Sequence, residues 1–187
     1  MTNENISIVI IDHNDPAKLE DAIRTFLSAG EAYADTDTTI VVDKGKKESE
    51  ELIEKLKPQF PAIHITFVPD TSRRMSDQKI AILLGVKAAS NDTVRLIDTY
   101  HRDFSPYHQF ACKQRHRRLR RRHGGIDFDI DDNCLSFSKE KFINRDAIED
   151  NISFVNSCYE PPKGHYVRRL WTGIKYVLHK CHLYPSS

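Results

Sequence analysis

Four short runs rich in β-branched and apolar residues, ISIVII at 6–11, TTIVV at 38–42, IHITFV at 63–68 and TVRLI at 93–97, are separated by segments with helical spacing. This alternation constrains the fold more than any other feature, because strands that alternate with helices build βαβ units and a mainly parallel sheet. ISIVII is apolar on both faces, which suits a central strand covered from both sides. After it, Asn14 or Asp15 can cap a helix, Pro16 suits its first turn, and Leu19, Ile23, Phe26 and Leu27 form its inward stripe before Gly30. A charged helix is expected from about Lys47 to Lys57, where Pro58 ends it. Ser76 can cap another through Ala89, with Ile80, Leu83, Leu84 and Val86 among its apolar positions. The expected class is α/β, a three-layer domain.

From Phe104 onward the periodicity blurs. DFDI and the stretch around NCLSF at 133–137 read as short strands, Ala147 to Val155 as a helix, and Pro161, Pro162 and Gly164 as loop punctuation. A last helix, about His165 to Lys180, carries Val167, Leu170, Trp171, Ile174, Val177 and Leu178 on one face. With 187 residues, the expectation is a single domain over 1–164, made of halves 1–103 and 104–164, with an amphipathic helix and tail at 165–187.

The net charge of +1 hides an asymmetry: residues 1–92 hold 11 Lys/Arg against 16 Asp/Glu, and residues 93–187 hold 17 against 11. Much of the positive excess sits in KQRHRRLRRRHGG, with seven Lys/Arg between Lys113 and Arg122. Such a run can neutralise the phosphates of a polyanion or an anionic lipid surface, or it can pair with the acidic DFDIDD that follows at 127–132. Specific nucleic-acid recognition is not expected, since no aromatic is interleaved and no helix-turn-helix or zinc-finger spacing accompanies the run. The final helix, with Arg168, Arg169, Lys175 and Lys180 beside Trp171 and Tyr176, either lies at a membrane interface or packs on the domain. No apolar run approaches the roughly 20 residues needed to span a bilayer. MTNEN leads into ISIVII without the features of a secretory signal, so a cytoplasmic location is expected, peripheral at the inner membrane face if the basic surfaces dock there. Cys112, Cys134, Cys158 and Cys181 are widely spaced and read as reduced thiols. Zinc spacing, a nucleophile elbow and the other motifs of a kinase around His101-Arg102-Asp103 are all missing.

Three of the four strands run directly into aspartate: ISIVII into Asp12, TTIVV into Asp43 and TVRLI into Asp98. Open α/β sheets bind ligands outside the carboxyl ends of their strands. Carboxylates delivered to that edge suit ligand hydroxyls, ring N–H groups or a metal-bridged phosphate. Aspartate at a strand end also caps turns and helices, so each position has a structural reading as well.

These stretches resemble the family 2 glycosyltransferases of the GT-A type, whose Rossmann-like half binds a nucleotide-sugar. ISIVIIDHND looks like the family's first strand and turn, and TTIVVDKGKKESEEL is similar to its second strand. SRRMSDQKIAILLGVKAASNDTVRLIDTYHRDFSP contains a K-x-A-x-x-x-G-x-K-A-A helix followed by a strand and a terminal Asp, and resembles the stretch that leads into the family's D-x-D motif. The likeness covers residues 6 to about 106. Beyond that it continues in islands, NCLSFSKEKF and the acidic pair Glu149-Asp150.

The resemblance implies a GT-A-like domain that transfers a sugar from a nucleotide-sugar donor to a hydroxyl acceptor, a glycan or a lipid-linked one. It implies that Asp12 and Asp43 lie near base and ribose, that Lys79 and Asp98 contact the donor, and that Asp98 with Asp103 holds Mg²⁺ or Mn²⁺. Asp150 would then deprotonate the acceptor. The sequence departs from the pattern at Tyr100, where D-x-D has its second carboxylate, at Lys44, and in the shortness of the second half. Those departures point to the alternative, a catalytically inactive relative that binds or scaffolds through its arginine-rich half.

Overall fold

The computed structural model describes residues 5–27, 37–42, 47–69, 76–99, 112–113, 116–117, 126–130, 134–144 and 146–159. Asp43, Tyr100, Asp103, most of the arginine run, the proposed division at 164 and the helix expected at 165–180 lie outside them. Among the described residues the elements follow in chain order: β1 (Ile6–Asp12), α1 (Pro16–Leu27), β2 (Asp37–Val42), α2 (Lys47–Leu56), β3 (Ile63–Phe67), α3 (Asp77–Ala88), β4 (Thr93–Asp98), β5 (Asp129–Ile130), β6 (Leu135–Ser138), α4 (Lys139–Phe142) and α5 (Ile148–Tyr159).

The strands form one sheet in the order β3-β2-β1-β4-β6-β5. β1 pairs in parallel with β2 and β4, and β2 with β3. The last two strands reverse: β6 runs antiparallel to β4, and β5 antiparallel to β6. This is the expected α/β architecture with a mainly parallel sheet, and ISIVII is central as its two-sided apolarity requires.

Strand alternation divides the core between the two faces. Ile8 and Ile10 of β1 join Leu19, Ala22 and Ile23 of α1 and Ile53 and Leu56 of α2. Val9 and Ile11 face the other way, onto Ala81, Ile82 and Val86 of α3, in a cluster that includes Ile152, Phe154 and Val155 of α5. Each fully buried aliphatic side chain contributes about 1.5–3 kcal/mol. The helices therefore lie in two layers around the sheet.

Local chemistry sets the helix ends. Of the two expected caps for α1, Asp15 serves: its Oδ1 accepts from Lys18 N at 3.3 Å, while Asn14 turns the chain at φ 62°. Ser76 caps α3, its Oγ accepting from Lys79 N at 3.4 Å. Gly85 lets α3 approach the sheet, since a Cβ there would lie 2.4 Å from Val9 Cγ1 and 2.9 Å from Val41 Cγ2. That contact is a packing reason for the glycine in the K-x-A-x-x-x-G pattern. Toward β5, Phe128 packs on Phe154 with ring centroids 4.7 Å apart, and Phe137 stacks on Phe142 at 4.8 Å. His116 joins this group through Phe128 and Phe154. Cys112, Cys134 and Cys158 are buried and not joined in disulfides.

Candidate functional site

The strand order reverses between β1 and β4: β2 and β3 continue on one side of β1, and the chain then returns to place β4 on the other. Such a topological switch point opens a crevice at the carboxyl ends of the two strands. Here those ends are Asp12 and His13 on one side and Asp98 and Thr99 on the other. Thr99 N donates to Ile11 O at 3.1 Å, holding the two chain ends together just past the strands.

The two strand-end aspartates leave this edge on opposite faces. Ile11 is the register partner of Asp98, so Asp12 stands one residue beyond it and, by alternation, points the other way. Asp12 is 1% exposed, and its Oδ2 accepts from Ser49 Oγ of α2 at 2.7 Å while its Oδ1 accepts from Asp15 N at 3.3 Å. Its carboxylate thus joins β1 to α2 and to the start of α1. Asp98, with no exposed surface, faces α3 instead, and its Oδ2 accepts from Gln78 Nε2 at 3.1 Å.

The same Oδ2 lies 2.9 Å from His13 Nε2. An ionised carboxylate only accepts, which places a proton on that ring nitrogen. His13 is the outward member of the pair: its side chain is 28% exposed and that of Asp98 0%. Two polar atoms beside the pair, Asn14 Oδ1 and Thr99 Oγ1, are buried without a hydrogen-bond partner, and Thr99 as a whole is 2% exposed. A buried polar atom left unmatched costs about 1–3 kcal/mol. Two at one switch point form a place where a ligand with hydroxyl or N–H groups gains what the protein has left unsatisfied.

From Asp98 a line of contacts leads along the α3 and α5 face. Gln78 is followed on the first turn of α3 by Lys79, whose Nζ donates to Ser153 Oγ of α5 at 3.2 Å. Asp150 precedes Ser153 by three residues and so shares its side of the helix. The far end of α5 returns toward the switch point, where Tyr159 Oη donates to Leu96 O at 2.5 Å. Burial, and next the negative charge of Asp98, hold the Tyr159 hydroxyl well above its ordinary value. Nine helical steps lead from Asp150 to Tyr159, about 14 Å at 1.5 Å per residue. The structure thus joins Asp98 to Lys79 through adjacent residues and sets Asp150 farther along the same face.

The fit to a divalent cation follows from the donors present. Oδ2 of the buried Asp98 already takes two N–H donors, and among the described residues no group of three His, Cys, Asp or Glu is arranged to hold a metal ion. Tyr100 and Asp103 lie outside the described residues. The described residues therefore do not make up a divalent-cation site. Sequence reasoning passed over His13, Gln78, Ser49 and Thr99, and took Asn14 only as a helix cap. The one signal available was position, since His13, Asn14 and Thr99 directly follow strands that end in aspartate.

No family model matches the chain, and neither does any curated protein. Solved structures match it at low identity and low TM-score. The mannosyltransferase PcManGT of Pyrobaculum calidifontis, solved with GDP-Man and Mn²⁺, is 14% identical, with a TM-score of 0.39 over 51% of this chain and 27% of that one. The chain thus spans about a quarter of that enzyme's length. The 4-diphosphocytidyl-2C-methyl-D-erythritol synthase of Anaerococcus prevotii is 12% identical, with a TM-score of 0.39 over 92% of this chain and 85% of that one. Among the described residues no helix is long and apolar enough to cross a membrane.

Proposed function

We propose that this chain binds a nucleotide-sugar donor at the switch point between β1 and β4 and transfers the sugar to a hydroxyl acceptor. The observation that carries this reading is the pair of unmatched buried atoms, Asn14 Oδ1 and Thr99 Oγ1, beside the His13–Asp98 bond at the sheet's carboxyl edge. Asn14 Oδ1 needs a donor, which nucleoside hydroxyls or ring N–H groups supply. It repels phosphate. The nucleoside end belongs in the crevice, and the diphosphate extends toward Lys79, whose ammonium group neutralises charge as the bond to the sugar breaks. Asp150 takes the proton from the acceptor hydroxyl. Its distance along the face suits a donor in which ribose and diphosphate separate the base from the reacting carbon. Asp43 and Asp103 enter the reading as further donor contacts, and a glycan or lipid-linked acceptor is the partner on the Asp150 side.

A second reading rests on the basic segment. Cys112 and His116 face inward, His116 Nε2 lying 2.9 Å from Ile126 O, while Lys113 and Arg117 are exposed. Anchored in this way, the segment presents Lys113 and Arg117 outward, as a scaffold docking on an anionic membrane would.

Thermal stabilisation by UDP, GDP and other nucleotides, with and without Mn²⁺, separates the two. The transferase reading expects a shift with at least one nucleotide, and loss of transfer by about 10²–10⁴-fold in Asp150→Asn with donor binding kept. No response to any nucleotide, together with binding to anionic vesicles, would favour the scaffold.

A further inference from the structure

On the proposed reading that the crevice takes a nucleotide-sugar, we infer that the donor is recognised without a divalent cation at Asp98, and that Asp98 acts as a positioning residue for His13. The carboxylate is wholly buried, and its Oδ2 is bonded on one side to Gln78 Nε2 at 3.1 Å and on the other to His13 Nε2 at 2.9 Å. A hexacoordinate cation strips some of its own water to gain a carboxylate oxygen, and Mg²⁺ in particular gives up water reluctantly. A cation taking Oδ2 would also have to displace two N–H donors from a carboxylate with no exposed surface. The imidazole, by contrast, is the member of the pair with exposed surface.

The neighbours make the same division. Asn14 Oδ1, buried and unmatched, only accepts and so answers hydroxyls and N–H groups rather than phosphate oxygens, while Thr99 Oγ1, also buried and unmatched, both donates and accepts. Positive charge for the diphosphate is available from Lys79, tied to Ser153 by a neutral hydroxyl. His13, Asn14 and Thr99 thus contact the nucleoside, Lys79 meets the diphosphate, and Asp98 with Gln78 fixes the ring of His13. The chemical class selected is an uncharged nucleoside moiety, so a nucleoside should bind the crevice even without its phosphates.

Two measurements test this on the full chain. In isothermal titration, the nucleotide that stabilises the protein should bind with affinity equal within about twofold in EDTA and in Mn²⁺. His13→Ala should lose about tenfold, while Asp98→Asn, whose amide oxygen still accepts from His13 and Gln78, should lose less than about threefold. A gain of tenfold or more on adding Mn²⁺, abolished by Asp98→Asn, would overturn the inference. The second readout needs no ligand: Mn²⁺ added to ¹⁵N-labelled protein should leave the His13 ring and Thr99 amide signals as sharp as those of Ser7 and Thr93 at the other end of the sheet. Selective paramagnetic broadening at His13 and Thr99 would place a cation at Asp98 and overturn it even if nucleotide binds. Binding of no nucleotide or nucleoside in either buffer would sink the donor reading and the assignment of His13, Asn14 and Thr99 with it, whatever the broadening shows.

Discussion

Replacing Gly85 with alanine should destabilise the protein by about 2 kcal/mol. In an open helix the change is favourable by about 1 kcal/mol, because alanine has the higher helix propensity. Here the new methyl would lie 2.4 Å from Val9 Cγ1 and 2.9 Å from Val41 Cγ2. Ordinary carbon contacts are about 3.5–4.0 Å, so α3 or the strands must move by about 1 Å. Neither valine gives way easily: both are 0% exposed, both are β-branched with a stiff χ1, and β1 is paired on both sides. Overpacking of this kind costs about 1–3 kcal/mol and sometimes more, which at the upper end leaves about 2 kcal/mol after the propensity gain. For a chain of this length that corresponds to a fall in Tm of about 4–8 °C. Urea denaturation followed by far-UV circular dichroism should show a lower midpoint with an unchanged m value. The double variant Gly85→Ala with Val9→Ala should be more stable than the sum of its parts, because the second change makes room for the first. A neutral or stabilising Gly85→Ala would refute the close approach of α3 to β1 and β2, and with it the placement of Gln78 and Lys79 at the sheet edge.

Other perturbations probe the polar framework. Tyr159→Phe removes the donor to Leu96 O inside the core and should cost about 1–3 kcal/mol in chemical denaturation. Since burial holds the Tyr159 hydroxyl well above the ordinary value of 10.0, its protonated form contributes stability that is complete below pH 10.0 and is lost as pH rises from there toward the folded-state value; alkaline denaturation of the phenylalanine variant should lack that component. Asp92 shows the opposite sign, its pKa lowered from 3.8 chiefly by the backbone N–H of Glu140. Its stabilising effect is present above pH 3.8 and fades as pH falls through the folded-state value, so Asp92→Asn should flatten the acid limb of a Tm-against-pH curve. Ser49→Ala leaves Asp12 Oδ2 without its hydroxyl partner and should cost about 1–3 kcal/mol, read as a lower denaturation midpoint.

The parts of the fold set by local chemistry were legible from the sequence. β-branched runs marked β1 to β4, the two-sided apolarity of ISIVII placed it centrally, and Ser76 announced the start of α3. Aspartates at the strand ends marked the switch-point edge where His13, Asp98 and Thr99 meet. What could not be read was register. That Ile11 pairs with Asp98 decides that Asp12 and Asp98 leave on opposite faces, and nothing local to either strand encodes it. His13 and Gln78 stand 65 positions apart and meet at Asp98 only because the crossover puts β4 beside β1. Ser49 is equally silent: in the sequence it is one polar residue of a charged helix, and in the fold it is the buried partner of Asp12. Asn14 read only as a cap, and with Asp15 taking that place its buried Oδ1 is left unmatched.

A crystal structure of the chain with UDP, GDP or another stabilising nucleotide bound would test the central claim most directly. The account predicts density for the nucleoside between the ends of β1 and β4, within hydrogen-bond distance of His13, Asn14 Oδ1 and Thr99 Oγ1, with the diphosphate directed toward Lys79. Nucleotide density elsewhere, with Asn14 Oδ1 and Thr99 Oγ1 still unmatched, would contradict it.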